Sequence, residues 1–222
     1  LNDATVEGLA AKSGNARFAW DSYRRFITMF GDVVLGIHYT RFARVTDQVR
    51  QGREESDLSV DELKELVAKL KGVVEEGHGS FPSNPEDQLR LATNAVFRSF
   101  NTPRARYYRK SQEIPDDTGT AVNIQAMVFG NMGDTSATGV CFTRDPKNGE
   151  RVFFGEWLPN AQGEDVVAGT HTPGPLTAGQ AGAEGRPLSE AMPTVYAELN
   201  RIQKTLESHF RDMQDIEFTV ED

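Results

Sequence analysis

The run DIEFTVE at residues 215–221 alternates polar with apolar side chains. In an extended strand, Ile216, Phe218 and Val220 share one face, while Asp215, Glu217, Thr219 and Glu221 share the other. Same-face neighbours on a strand stand about 7 Å apart, so Asp215 and Glu217 can flank a hard cation or a Mg-nucleotide. Mg²⁺ takes one or two carboxylates and completes its shell with phosphate oxygens and water. The same alternation also describes an amphipathic edge strand with a solvated acidic face.

A second candidate is the glycine-rich stretch GNMGDTSATG at 130–139. Successive backbone N–H groups in such a turn can form a concave anion site, and Ser136 and Thr138 add hydroxyl donors. It is no Walker loop, because the Gly-Lys-Ser/Thr ending is missing; a plain turn is the simpler alternative. Gln125 and Met127 share one face of a period-two run. Amide and thioether groups beside exposed backbone suit a flat purine, although an ordinary strand is the simpler reading. In QGEDVVAG at 162–169, Glu164 can reach a ribose hydroxyl or a metal-bound water, or can simply belong to a turn before a buried strand. The four histidines, His38, His78, His171 and His209, lack metal-ligand spacing, and the lone Cys141 has no activating base nearby.

These residues need elements to hold them. The 222 residues, 38% hydrophobic, suffice for one domain with a real core or for two small lobes. One cysteine excludes a disulfide framework and a cysteine-based metal site, and a reducing cytoplasm fits that usage. The net charge of −9, with no basic tract, argues against nucleic acid and anionic membranes. No apolar stretch approaches the roughly 18 residues that span a bilayer. The chain starts on Leu1 without Met and stops directly after a strand-like run, so it reads as a piece of something larger.

The first half is helical in pattern. Phe18, Tyr23, Phe26, Ile27 and Phe30 recur near helical spacing. Ser59 and Glu62 form a capping box, ahead of the stripe Leu63, Leu66, Val67, Leu70 and Val74. Asn84-Pro85 signals another start, with Leu89, Ala92, Val96 and Phe100 continuing a face. From Gly119 the period becomes two, and Val122, Ile124, Ala126 and Val128 predict a strand. Strands are also predicted at 139–143, 151–157 and 215–221, the first two joined by a two-residue type I′ turn at Asn148-Gly149. Residues 170–192, rich in Gly and Pro, predict an exposed loop, and Pro193 opens a last helix. Helices first and strands later argue for an α+β fold: a helical lobe at 1–112 and a mixed lobe at 113–222.

Taken together, LNDATVEGL at 1–9, RFAWDSYRRFITMFGDVV at 17–34, NTPRA at 101–105, GTAVNIQAMVFGN at 119–131, NAQGEDVVAG at 160–169 and FRDMQDIEFT at 210–219 resemble the ATP-grasp nucleotide-binding domain of pyruvate, phosphate dikinases. The blocks are ordered and cover nearly the whole chain. Phosphoenolpyruvate synthases and rifampicin phosphotransferases share only the shorter motifs of the second lobe. The resemblance implies binding of Mg-ATP and phosphate, with Mg²⁺ at Glu217 and Asp215. It further implies Ser136, Thr138 and Gly139 on a loop over the phosphates, residues 125–128 (with Gln125, Met127 and Val128) as the adenine hinge, and Glu164 near the nucleotide.

The family converts ATP, phosphate and pyruvate to AMP, diphosphate and phosphoenolpyruvate, passing a phosphoryl group to a histidine on a separate domain. The resemblance therefore implies that domain as a partner, within a homodimeric full-length enzyme. It also implies further parts outside this chain: a Gly-Gly-Lys-Gly loop and a phosphate-binding Arg upstream, and a Gln-Thr-Arg block downstream. Without them the piece alone would be inactive. A stand-alone nucleotide- or partner-binding module remains the alternative. Ala137 stands where the family has Gly, which bears on the stiffness of the phosphate loop.

Overall fold

A computed structural model describes residues 1–167, 172–180 and 185–221. The chain is α+β and divides into two compact units, Leu1–Gln125 and Ala126–Asp222.

The first unit is built from helices α1 (Asp3–Ser13), α2 (Ala16–Met29), α3 (Tyr39–Arg50), α4 (Val60–His78), α5 (Pro85–Ser99) and α6 (Pro103–Ser111). The Asn15 side chain accepts from Phe18 N at 3.0 Å and starts α2; Phe18, Ala19, Tyr23 and Ile27 then turn inward. A single π-helical turn, Phe30–Val34, follows. There Gly31 lies against the Phe42 ring so closely that an added Cβ would stand 2.2 Å from its tip. The capping box on α4 is present: Ser59 Oγ accepts from Glu62 N at 3.3 Å, and Glu62 Oε2 accepts from Ser59 N at 2.9 Å. Its stripe of Leu63, Leu66, Val67, Leu70 and Val74 is buried in the core, each such residue contributing about 1.5–3 kcal/mol.

The α5 stripe behaves differently. Leu89 is 48% and Val96 43% exposed, and the buried residue of that helix is Gln88. Its amide donates to Leu1 O at 2.8 Å and Pro82 O at 2.7 Å. Hydrogen bonds from this one polar residue therefore help to seat the helix, beside half-buried Leu91, Ala92 and Ala95.

The second unit carries a four-stranded antiparallel sheet in the order β3-β2-β1-β4, with β1 at Ala137–Phe142, β2 at Phe154–Pro159, β3 at Gly174–Pro175 and β4 at Asp215–Val220. Three helices accompany it: α7 (Gly163–Val167), α8 (Leu188–Ala191) and α9 (Pro193–Phe210). Ala137, Cys141 and Trp157 form the buried core with Leu176, Leu188 and Leu199, and Ile216, Phe218 and Val220 pack against it. The register pairs Thr138 with Thr219, Val140 with Glu217 and Phe142 with Asp215, so these residues occupy the opposite sheet face.

Three expectations change. No strand forms at 122–128, because a strand exists only through a ladder partner and none of the described strands pairs with these residues. The β1–β2 connection is longer than a two-residue turn, since Phe142 is the last residue of β1 paired with β2, opposite Phe154. Only Gly149 of the Asn-Gly pair has positive φ, at 78°. Asp145 and Asn148 side chains instead accept from Lys147 N and Glu150 N, both at 2.8 Å, building side-chain turns that widen the loop. Finally, the stretch expected as an exposed loop holds β3, α8 and two fully buried leucines, Leu176 and Leu188. Isolated leucines in a Gly/Pro-rich segment have no periodicity to betray them.

No described helix is long and apolar enough to cross a membrane.

Candidate functional site

The acidic strand forms as its alternation predicts. Along β4, Asp215, Glu217 and Thr219 are exposed while Ile216, Phe218 and Val220 are half-buried. The apolar members pack on the core and so force the carboxylates outward. Across the sheet, Glu217 pairs with Val140, which pairs with Glu156 of β2. Among the described residues no three His, Cys, Asp or Glu side chains cluster as a complete metal cage. Two exposed carboxylates on alternate strand positions are a donor set suited to Mg²⁺, which prefers phosphate oxygens and water for the remainder.

The glycine-rich loop is anchored at its start. Phe129 N donates to Glu221 Oε2 at 2.5 Å. Gly130 lies between two backbone carbonyls; an added Cβ would come within 2.4 Å of Ala161 O and 2.7 Å of Ala137 O. At its far end, Ser136 N donates to Gly133 O at 3.0 Å, and Asn160 N to Ser136 O at 2.8 Å. β1 begins at Ala137, ahead of the predicted start at Gly139, so Thr138 and Gly139 lie inside the strand. Pairing with strands on both sides draws them into the sheet. Thr138, 2% exposed, donates its hydroxyl to Phe218 O at 3.1 Å. Gly139 gives room to the Phe218 ring, 2.5 Å from where its Cβ would be. Ala137 opens β1 and its methyl group packs in the core. Ser136 is buried, and its Oγ meets no hydrogen-bond partner among the described residues, a condition that costs about 1–3 kcal/mol if unrelieved.

Glu164 stands exposed in the first turn of α7. The preceding Gln162 is buried and joins two segments. Its Nε2 donates to Asn131 Oδ1 at 3.2 Å, and its backbone N donates to Asp165 Oδ2 at 2.9 Å. Ala168, Gly169 and His171 lie outside the described residues. Gln125 ends the first unit, and Met127 and Val128 lie near the start of the second. All three belong to an unpaired stretch, with Met127 60% exposed.

Sequence reasoning missed the anchoring roles of Glu221, Gln162 and Asn131. Glu221 shares the parity of Asp215 and Glu217, which was a usable signal; nothing local links Asn131 to Gln162. It also missed an open cleft of about 500 Å³ at the opposite end of β1, where Arg144, Arg151, Lys204 and Arg211 surround Glu207. Hydrogen bonds from Thr143 and then Arg144 hold the Glu207 carboxyl below its ordinary value.

Comparison with known proteins identifies the setting. The family described as "Pyruvate phosphate dikinase, AMP/ATP-binding domain" matches residues 45–192. The whole chain aligns at 50% identity with pyruvate, phosphate dikinase of Clostridium symbiosum, covering 25% of that protein. It aligns at 52% with pyruvate, phosphate dikinase 1, chloroplastic, of Arabidopsis thaliana, covering 22%, and at 50% with the Rhizobium meliloti dikinase, covering 25%. The chain thus spans about a quarter of the length of the curated relatives it matches. With a family match over more than half its residues and identity of this order along its full length, the chain belongs to the AMP/ATP-binding domain family of the pyruvate phosphate dikinases.

Proposed function

We propose that this chain is the Mg-ATP-binding portion of a pyruvate, phosphate dikinase, in which ATP, phosphate and pyruvate become AMP, diphosphate and phosphoenolpyruvate. The observation that carries the reading is the joint presence of a family match to an AMP/ATP-binding domain and two outward-facing carboxylates on β4, with an anchored glycine-rich loop in the same unit. Phosphoryl transfer is mostly positioning and charge neutralisation. Asp215 and Glu217 would hold Mg²⁺, which supplies charge neutralisation on the polyphosphate when bound. Backbone N–H groups of the loop, with the Ser136 hydroxyl, would face phosphate oxygens; a buried hydroxyl lacking a partner is one that a ligand oxygen can satisfy. Thr138 and Gly139 would support that loop from β1, Glu164 would approach the ribose, and 125–128 would border the adenine.

On this reading, residues 1–112 form the helical subdomain and 113–222 part of an ATP-grasp core. The phosphoryl group passes to a histidine domain of the same full-length chain, within a homodimer in the cytoplasm, although several relatives are named chloroplastic. A stand-alone nucleotide- or partner-binding module without catalysis and the related phosphoenolpyruvate synthase are the rival readings; identity of 50% with a dikinase along the whole chain favours the dikinase over the synthase.

The test is Glu217→Gln in the full-length enzyme. Turnover should fall by roughly 100-fold or more, the scale of a lost electrostatic contact at a reacting centre, and excess Mg²⁺ should restore part of it. Unchanged turnover at ordinary Mg²⁺ would remove Glu217 from the metal role.

A further inference from the structure

We infer that Gln162 is a positioning residue that holds the glycine-rich loop in its nucleotide-binding shape, an inference that rests on the proposed function of that loop. Three observations converge on it. Gly130 is wedged between the carbonyls of Ala161 and Ala137, which brings the residue before Gln162 against the base of the loop. The next loop residue, Asn131, accepts from Gln162 Nε2 at 3.2 Å. Gln162 is itself 8% exposed, and its backbone N is tied to Asp165 Oδ2 at 2.9 Å.

A single buried amide therefore joins the loop to the start of α7, which carries Glu164. Removing one partner of a buried hydrogen bond leaves the other unsatisfied, so the pair is held as a unit. The Glu221 contact to Phe129 N adds a second anchor just before the loop begins. The residues left outward are Asp134 and Thr135. Gln162 touches no expected ligand position; it acts through the loop.

The experiment compares Gln162→Leu, Asn131→Leu and the double variant in the full-length enzyme. The readouts are Mg-ATP binding by calorimetry and the KM values for ATP and for pyruvate. Gln162→Leu should weaken Mg-ATP binding and raise its KM by roughly three- to tenfold, the range of one neutral hydrogen bond, with the KM for pyruvate unchanged. The double variant should be no worse than either single leucine variant, since both delete one contact.

A lowered melting temperature with an unaltered KM for ATP would overturn the inference, as would equal losses for both substrates or additive losses in the double variant. Because Asn131 is not part of the core, its variant reports even if Gln162→Leu fails to fold. No Mg-ATP binding by the unsubstituted enzyme would overturn the nucleotide reading and this inference together. Binding by the parent that Gln162→Leu and Asn131→Leu leave intact would overturn this inference alone.

Discussion

Cys141 and Asp215 sit on neighbouring strands but on opposite faces of them. Burial, with the Asp215 charge adding to it, pushes the Cys141 thiol up to about 12. A thiol so protonated is a poor nucleophile. Native protein at pH 8 should therefore resist Ellman's reagent, and one equivalent should react once the chain is unfolded; stoichiometric labelling of the native form would contradict the structure. The sequence already indicated an inert cysteine, since no activating base lies near it. It gave no hint of Asp21, a carboxylate inside the α2 core face.

Burial would raise the Asp21 carboxyl, but Arg24 and Arg25 outweigh it and hold the group below its ordinary value. Arg24 Nη2 lies 2.8 Å from Asp21 Oδ1 and 2.8 Å from Glu55 Oε2. A folded pKa below the unfolded one gives stability that is complete above the unfolded value and is lost as pH falls through the folded one. Asp21→Asn should therefore cost about 3–5 kcal/mol at neutral pH, the scale for stranding a buried partner. That gap should close as pH drops below about 4, near the ordinary Asp value. A gap in urea melts that stays constant down to pH 2 would rule out the charge as its source. Such a network was illegible because Glu55 reaches it from a distant turn.

At the scale of elements, the clearest sequence signals were those whose physics is local. The Ser59–Glu62 box and the Asn84-Pro85 start need only their own backbone, and both are present. Arg53, then Ser59, draws the Glu62 carboxyl down to about 2, so the box keeps its charge through most acidic conditions. The alternation along β4 was legible because its two faces differ so sharply in polarity. The period-two run at 122–128 was not decisive, since alternation describes a face and says nothing of a neighbour to pair with. Gly139 was predicted at a strand start, yet the reason it must be glycine, a close approach of the Phe218 ring and Glu156 O, is made by the fold. Gly139→Ala should overpack the sheet and cost about 1–3 kcal/mol, read as a lowered melting temperature. An unchanged melting temperature would mean that the ring has room the structure does not show.

Across the whole molecule, composition narrowed the options and the blocks of similarity supplied the family. On the proposed reading, a net charge of −9 would suit a chain that meets its anionic ligand through a metal ion and fixed N–H dipoles rather than through a basic field. The candidate site was legible only as residue types, with Asp215, Glu217 and the glycine-rich loop visible from spacing as candidates. Its supports were not, because Gln162 to Asn131 and Glu221 to Phe129 are pairings made by the fold.

The antiparallel register of β4 has a consequence for how such a site can change. Shifting β4 by one residue would bury Asp215 and Glu217 and expose Ile216, Phe218 and Val220. The core therefore admits movement of the two carboxylates only in whole pleats, about 7 Å at a time. Fine adjustment of their reach must come from side-chain rotamers or from sheet twist, so the apolar side of the strand acts as a ratchet on the acidic side.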